Sequence, residues 1–119
     1  MTKLVNNIIG VTNILLTAEA MKVGKHYGMD LNKLASIMDK SSGRNFFTQD
    51  WEQGKATYAY FAKSPELVKV AVDLCRKDLQ HARALVQQGD LRCHLLNQIS
   101  DGANGLNYID FEQSLQEVI

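Results

Sequence analysis

Apolar residues crowd the start of the chain. Leu4, Val5, Ile8, Ile9, Val11, Ile14, Leu15, Leu16, Ala18, Met21 and Val23 fall on several faces of a helix running from about Thr2 to His26. A helix apolar on so many faces is expected to be central or to lie in an interface. Gly28 supplies its stop. Asp30 is a good N-cap for a second helix, Leu31 to Asp39, with Leu34, Ile37 and Met38 directed inward. Ser41-Ser42-Gly43 breaks that helix. A short helix is predicted from Asn45 to about Gln53, carrying Phe46, Phe47 and Trp51. Gly54 to Lys63 mixes its signals, with Tyr58, Tyr60 and Phe61 read as a short strand-like alternation, and reads as loop or irregular.

The second half is more regular. Ser64-Pro65-Glu66 combines a capping hydroxyl, a proline at the first helical position and an acidic first turn. The helix it opens keeps a helical period to about Gln88 through Leu67, Val70, Ala71, Leu74, Cys75, Leu79, Ala82, Leu85 and Val86. Gly89-Asp90 is expected to end it and to cap the next helix, Leu91 to about Asn104, with Leu95, Leu96 and Ile99 inward. Asp110 with Gln113 resembles a capping box for a last short helix to Val118. The prediction is an all-α single domain of about six helices, without repeats, low-complexity tracts or linkers.

Composition narrows the function classes. Hydrophobic residues make up 45% of the 119 and charged residues 22%, an ordinary globular balance. Thirteen basic residues cancel thirteen acidic ones, so no basic excess points to nucleic acid or to an anionic membrane. Thr12, Asn13, Thr17, Glu19 and Lys22 interrupt the first apolar stretch, which therefore reads as too polar for a membrane span and lacks a signal-peptide pattern. Cys75 and Cys93 form no CxxC pair. With His26, His81 and His94 scattered, no metal site is expected. Two unpaired thiols at helical positions suit a reducing cytoplasm. No GxGxxG or P-loop occurs, so no glycine-rich turn is available to cradle a pyrophosphate.

Candidate chemistry begins at the N-terminus. Lys3 and Asn7 are four residues apart and share a helical face, with Asn6 beside them. A lysine can donate a proton to a developing alkoxide, and an asparagine can orient the same oxygen or the lysine itself. By spacing alone, the plainer reading of the same residues, a solvated helix start, is the favoured one, since a lone KxxxN is a weak signal.

Order and spacing along the chain supply more. KLVNN opens the long apolar helix; TAEAMKVGKHYGMDLNKL follows, then SSGRN, and further on Lys77-Asp78-Leu79. This succession resembles the C-terminal helical domain of the 3-hydroxyisobutyrate dehydrogenase (β-hydroxyacid dehydrogenase) family, a fold similar to the C-terminal domain of 6-phosphogluconate dehydrogenase. The resemblance covers essentially the whole chain. It implies an enzyme that passes hydride between NAD or NADP and a small 3-hydroxy acid or semialdehyde. Lys3 matches the family's acid/base lysine. Asn7 matches the asparagine that positions substrate and lysine, with Asn6 adjacent. Lys77 and Asp78 match a pair on the nicotinamide side of the interdomain cleft, and Ser42 and Gly43 match a turn near that cleft.

Each assignment has a plainer counterpart. Lys77 and Asp78 can be ordinary helix charges, Ser41-Ser42-Gly43 a helix stop, and Trp51, Tyr58, Tyr60 and Phe61 core or interface aromatics. Two departures from the family pattern stand out. The nucleotide-binding domain is missing from these residues, which leaves Lys3 near a free end where helices fray. Val70 stands where the family often has phenylalanine, and Gly54 to Lys63 differs from the family's glycine-rich loop. The expectation is a substrate-binding and dimerisation domain that forms a homodimer, binds neither NAD nor NADP tightly on its own, and is inactive alone. The alternative from another class is a stand-alone helical interaction module.

Overall fold

The computed structural model describes residues 1–119. It contains six helices and no strand: α1 Thr2–His26, α2 Leu31–Asp39, α3 Trp51–Phe61, α4 Pro65–Gln88, α5 His94–Asn104 and α6 Tyr108–Val118. The two long helices, α1 and α4, pack together, and α6 covers both. α5 lies against α4, α3 is set between α4 and α6, and α2 folds back on the end of α1.

The caps explain most of the boundaries. The Asp30 side chain accepts from the backbone N–H groups of Asn32 and Lys33, and the Ser64 hydroxyl accepts from that of Leu67 with Pro65 behind it. Gly28 turns the chain after α1 at φ 78°, where a side chain would be strained. α4 ends as a Schellman turn: the Leu91 N–H donates to Val86 O at 2.9 Å and that of Asp90 to Gln87 O at 3.1 Å. The left-handed residue of this turn is Asp90, at φ 51°, rather than Gly89.

Several boundaries differ from the sequence expectation. The third helix lies over Trp51–Phe61, not Asn45–Gln53, so most of the segment read as irregular is helical. Asp50 caps it by accepting from Gln53 N, and Asn45 to Gln49 form turns held by the Asn45 side chain. Asp90 does not cap α5, which starts four residues later behind Cys93 with no side-chain cap. Asn107, not Asp110, caps α6, accepting from Ile109 N and Asp110 N. Ile37 and Leu95, expected inward, are 63% and 72% exposed. Each lies on the side of a short helix turned away from the elements it packs on, which cover only part of its apolar stripe.

The main core gathers Ala18 and Met21 of α1, Trp51 and Tyr58 of α3, Val68 and Val72 of α4, and Phe111 and Leu115 of α6. A smaller cluster of Val11, Cys75, Leu79 and Ala103 joins α1, α4 and α5. Alanines at these crossings let the helix backbones approach closely. The Tyr58 hydroxyl donates to the carbonyl of Ile14 at 2.8 Å. That bond satisfies a buried phenol and fixes α3 against the middle of α1.

α1 is not buried all round. Val5, Ile9, Leu16 and Val23 are each more than half exposed and recur at helical spacing along one side. By length and composition alone, α1 is long and apolar enough to cross a membrane, with a mean hydropathy of 1.3 over its best 18-residue window. This differs from the expectation drawn from its polar interruptions. The core helix of a globule passes the same test, and here α1 is tied to its neighbours by polar bonds as well. Lys22 Nζ donates to Ser114 Oγ at 3.3 Å, and Lys25 donates to the Glu117 carbonyl.

Candidate functional site

The N-terminal third of α1 runs antiparallel to the middle of α4, and a groove of about 610 Å³ opens along their seam. One end is polar. Lys3, Asn6 and Asn7 reach it from α1, and Lys77 and Asp78 from α4. Asn7 Nδ2 donates to Asp78 Oδ2 at 3.0 Å across the seam. Asn6 Nδ2 lies 3.4 Å from Asn7 Oδ1, a long donor contact that closes a short amide chain. Lys3 lies one turn before Asn7 on the same face of α1. Two lysines and one aspartate give this end one net positive charge, which suits a monoanion.

The other end is mainly apolar. Ile14, Leu74, Phe46 and Phe47 line it, with Asn13 as a polar neighbour. Phe47 is buried and stacks on Tyr58, with ring centroids 5.5 Å apart. Phe46 meets Phe47 edge-on at 5.6 Å and is itself 75% exposed. Gly10 lies between the two ends on α1.

Beneath the polar end sits Cys75, fully buried in the smaller cluster. Burial first, and the Asp78 carboxylate second, push its thiol from the ordinary 9.0 up to about 12. The thiol therefore stays protonated near neutrality and is a packing group rather than a nucleophile. Burial likewise raises the Tyr58 phenol, with Cys75 adding to the effect. Nowhere do three His, Cys, Asp or Glu side chains converge as metal ligands.

Ser42 and Gly43 fall outside this groove. They line a neighbouring depression of about 290 Å³, together with Arg44, Asn45 and the Thr17 side of α1, and Asn13 lines both hollows. Asn45 organises the turn between them. Its Nδ2 donates to Gly43 O at 3.0 Å, and its Oδ1 accepts from Phe47 N at 2.9 Å and from Thr17 Oγ1 at 3.4 Å. The segment after the serines thus enters the groove through Phe46 and Phe47. Sequence reasoning missed those two residues and Gly10. The only signal was that an aromatic pair follows a turn matched to the cleft.

A family model described as NAD-binding of NADP-dependent 3-hydroxyisobutyrate dehydrogenase matches residues 1–106. The chain belongs to this family. The match takes in all of α1 to α5 and stops just before α6. No curated protein and no solved structure matched the chain.

As a domain of the 3-hydroxyisobutyrate dehydrogenase family, the chain offers a nicotinamide cofactor a limited set of contacts. Exposed Lys77 and half-buried Asp78 stand side by side on α4, a donor and an acceptor of the kind a nicotinamide carboxamide would use. The groove contains no glycine-rich turn at a helix N-terminus, the feature that receives a pyrophosphate. The donor set of the groove is thus compatible with the nicotinamide end of the cofactor.

Proposed function

We propose that this chain is the C-terminal helical half of an NAD(P)-dependent β-hydroxyacid dehydrogenase and acts with a nucleotide-binding domain that faces the α1–α4 groove. The observation that carries the reading is the gathering of Lys3, Asn6, Asn7, Lys77 and Asp78 at one end of one groove. When bound, NADH or NADPH would supply the hydride to a semialdehyde carbon, and NAD⁺ or NADP⁺ would accept it from the alcohol. In reduction the carbonyl π pair moves to oxygen, and the Lys3 ammonium gives that oxygen its proton. In oxidation the neutral amine takes the proton back. Asn7, held by Asp78, orients the reacting oxygen and keeps the lysine beside it. The net positive charge of this end receives the substrate carboxylate.

Titration calorimetry with NADH and NADPH is the direct test of the division of labour. The chain alone is expected to take up neither in the micromolar range, since the phosphate cradle lies on the other domain. Joined to a nucleotide-binding domain of the family, it is expected to reduce a three-carbon semialdehyde, with Lys3→Ala lowering kcat about 10²- to 10⁴-fold. Full activity in Lys3→Ala would remove the acid/base assignment.

A specific observation favours a second role, as a homodimerisation module. The accessible surface is 7575 Å², whereas a compact monomer of this mass is expected to expose about 6,500 Å². The radius of gyration, 14.7 Å, likewise exceeds the roughly 13.5 Å expected for this length. The excess is comparable to the ~800 Å² that each partner buries in a standard interface. Val5, Leu16 and Val23 supply an apolar stripe for it. Sedimentation equilibrium is expected to give a dimer that Leu16→Glu dissociates; a monomer at high concentration would exclude this role. The free thiols of Cys75 and Cys93 suit a reducing cytoplasm as the place of action.

A further inference from the structure

We infer that the groove takes a 3-hydroxy acid bearing a bulky apolar or aromatic substituent on carbon 2, and that Gly10 and Phe46 determine this preference. The inference rests on the reading of the polar end proposed above and extends it to the substrate class.

The argument begins with length. Asn7 stands at the polar end of the groove and Ile14 at the apolar end, and seven residues of helix rise separate them by about 10 Å. A three-carbon hydroxy acid spans roughly 5 Å, given bond lengths of about 1.5 Å. Such a molecule, held by Lys3 and Asn7, leaves the Phe46 end empty. With its carboxylate on the cationic end and its reacting carbon open to the hydride donor, a primary alcohol has one direction left for growth, the substituent on carbon 2. That direction leads along the groove.

The floor of the groove is built to let it pass. A Cβ placed on Gly10 would meet nothing within 4 Å. Close helix packing therefore does not require glycine at this position, unlike at Gly54, where a Cβ would run into the Phe47 carbonyl oxygen. A helix-weakening residue in the middle of α1 with no packing reason has one visible consequence, the open floor between the polar and apolar ends. Beyond it stands Phe46, an aromatic ring 75% exposed yet mounted on the buried Phe47–Tyr58 stack. A ring standing at the edge of a groove is a ready wall for an apolar or planar group.

The test is an amide NMR titration of the chain with 3-hydroxypropionate and with 2-benzyl-3-hydroxypropionate. The expected result is that both acids shift the amides around Lys3 and Asn7, while only the benzyl acid also shifts those of Phe46 and Phe47, binding about tenfold more tightly. In Gly10→Leu, which fills the floor, and in Phe46→Ala, which removes the wall, that preference should fall towards unity in spectra that keep the dispersion of the folded chain. If both acids bind at Lys3 and Asn7 with equal affinity, or the preference survives in both variants, the substrate-class inference fails and the function proposed above stands. If neither acid shifts the amides of Lys3 and Asn7, the reading of the polar end fails and takes this inference with it.

Discussion

Asn7 donates its side-chain amide to Asp78 across the α1–α4 seam at 3.0 Å, joining residues 71 positions apart in sequence. The bond gives a half-buried carboxylate a donor and fixes the orientation of the Asn7 amide, whose oxygen lies within reach of Asn6 Nδ2. Asn7→Asp places two carboxylates in contact. It is expected to destabilise the fold by about 1–3 kcal/mol at pH 7. Urea unfolding checks this; an unchanged midpoint would mean that the contact is not made.

Arg76 closes the far side of α4. Its guanidinium donates to the carbonyl oxygens of Ala103, Asn104 and Leu106 and to the Tyr108 hydroxyl, which in turn donates to Asp73. One planar fork thus satisfies the orphan carbonyls at the end of α5 and anchors the start of α6. Arg76→Lys keeps the charge and loses the fork. A loss of about 2–3 kcal/mol is expected, from carbonyls left without charged donors. Hydrogen exchange should report it first in α5 and α6.

Two helical glycines should respond in opposite ways to alanine. Gly10→Ala adds a methyl group in open space and is expected to stabilise by about 0.5–1 kcal/mol through helix propensity. Gly54→Ala drives a methyl group against the Phe47 carbonyl and is expected to destabilise by roughly 2 kcal/mol or more, because backbone must move. Thermal unfolding of the pair decides it; a gain in both variants would contradict the close approach of α3 to the Phe47 turn.

Cys75 and Tyr58 set an alkaline limit. Both have folded-state pKa values raised above the ordinary ones, chiefly by burial. Below pH 9 they are protonated in folded and unfolded chains alike, and their contribution to stability is fully present. Above that, the unfolded chain releases protons that the folded chain holds, so stability falls as the pH rises towards about 12. The urea midpoint is expected to drop between pH 9 and 11, and Cys75→Ala should flatten that slope. An unchanged slope in the variant would mean that the thiol titrates freely in the fold.

Elements with local signals were legible in the chain. α2 and α4 carry their own caps in Asp30 and Ser64-Pro65, and α4 is long enough for its apolar period to mark it as helix. The KxxNN start of α1 and the Lys77-Asp78 pair, taken with the order of motifs between them, pointed to the family. α3 was misplaced because its sequence works against itself. Gly54 lowers helix propensity, and Tyr58 and Tyr60 alternate like strand residues. Helix wins there because Tyr58 gains a buried stack with Phe47 and a bond to the Ile14 carbonyl, neither of which local sequence announces.

The sequence by itself determined the all-helical class, the long helices and the residue types that can carry acid/base chemistry, since propensity, capping and periodicity act over a few neighbouring positions. Tertiary structure alone decided that Asn7 meets Asp78, that Ser42 and Gly43 turn away while Phe46 and Phe47 enter the groove, and that one side of α1 stays bare. Those outcomes depend on how helices far apart in the chain share a limited area of apolar surface. Packing settles that competition for the molecule as a whole.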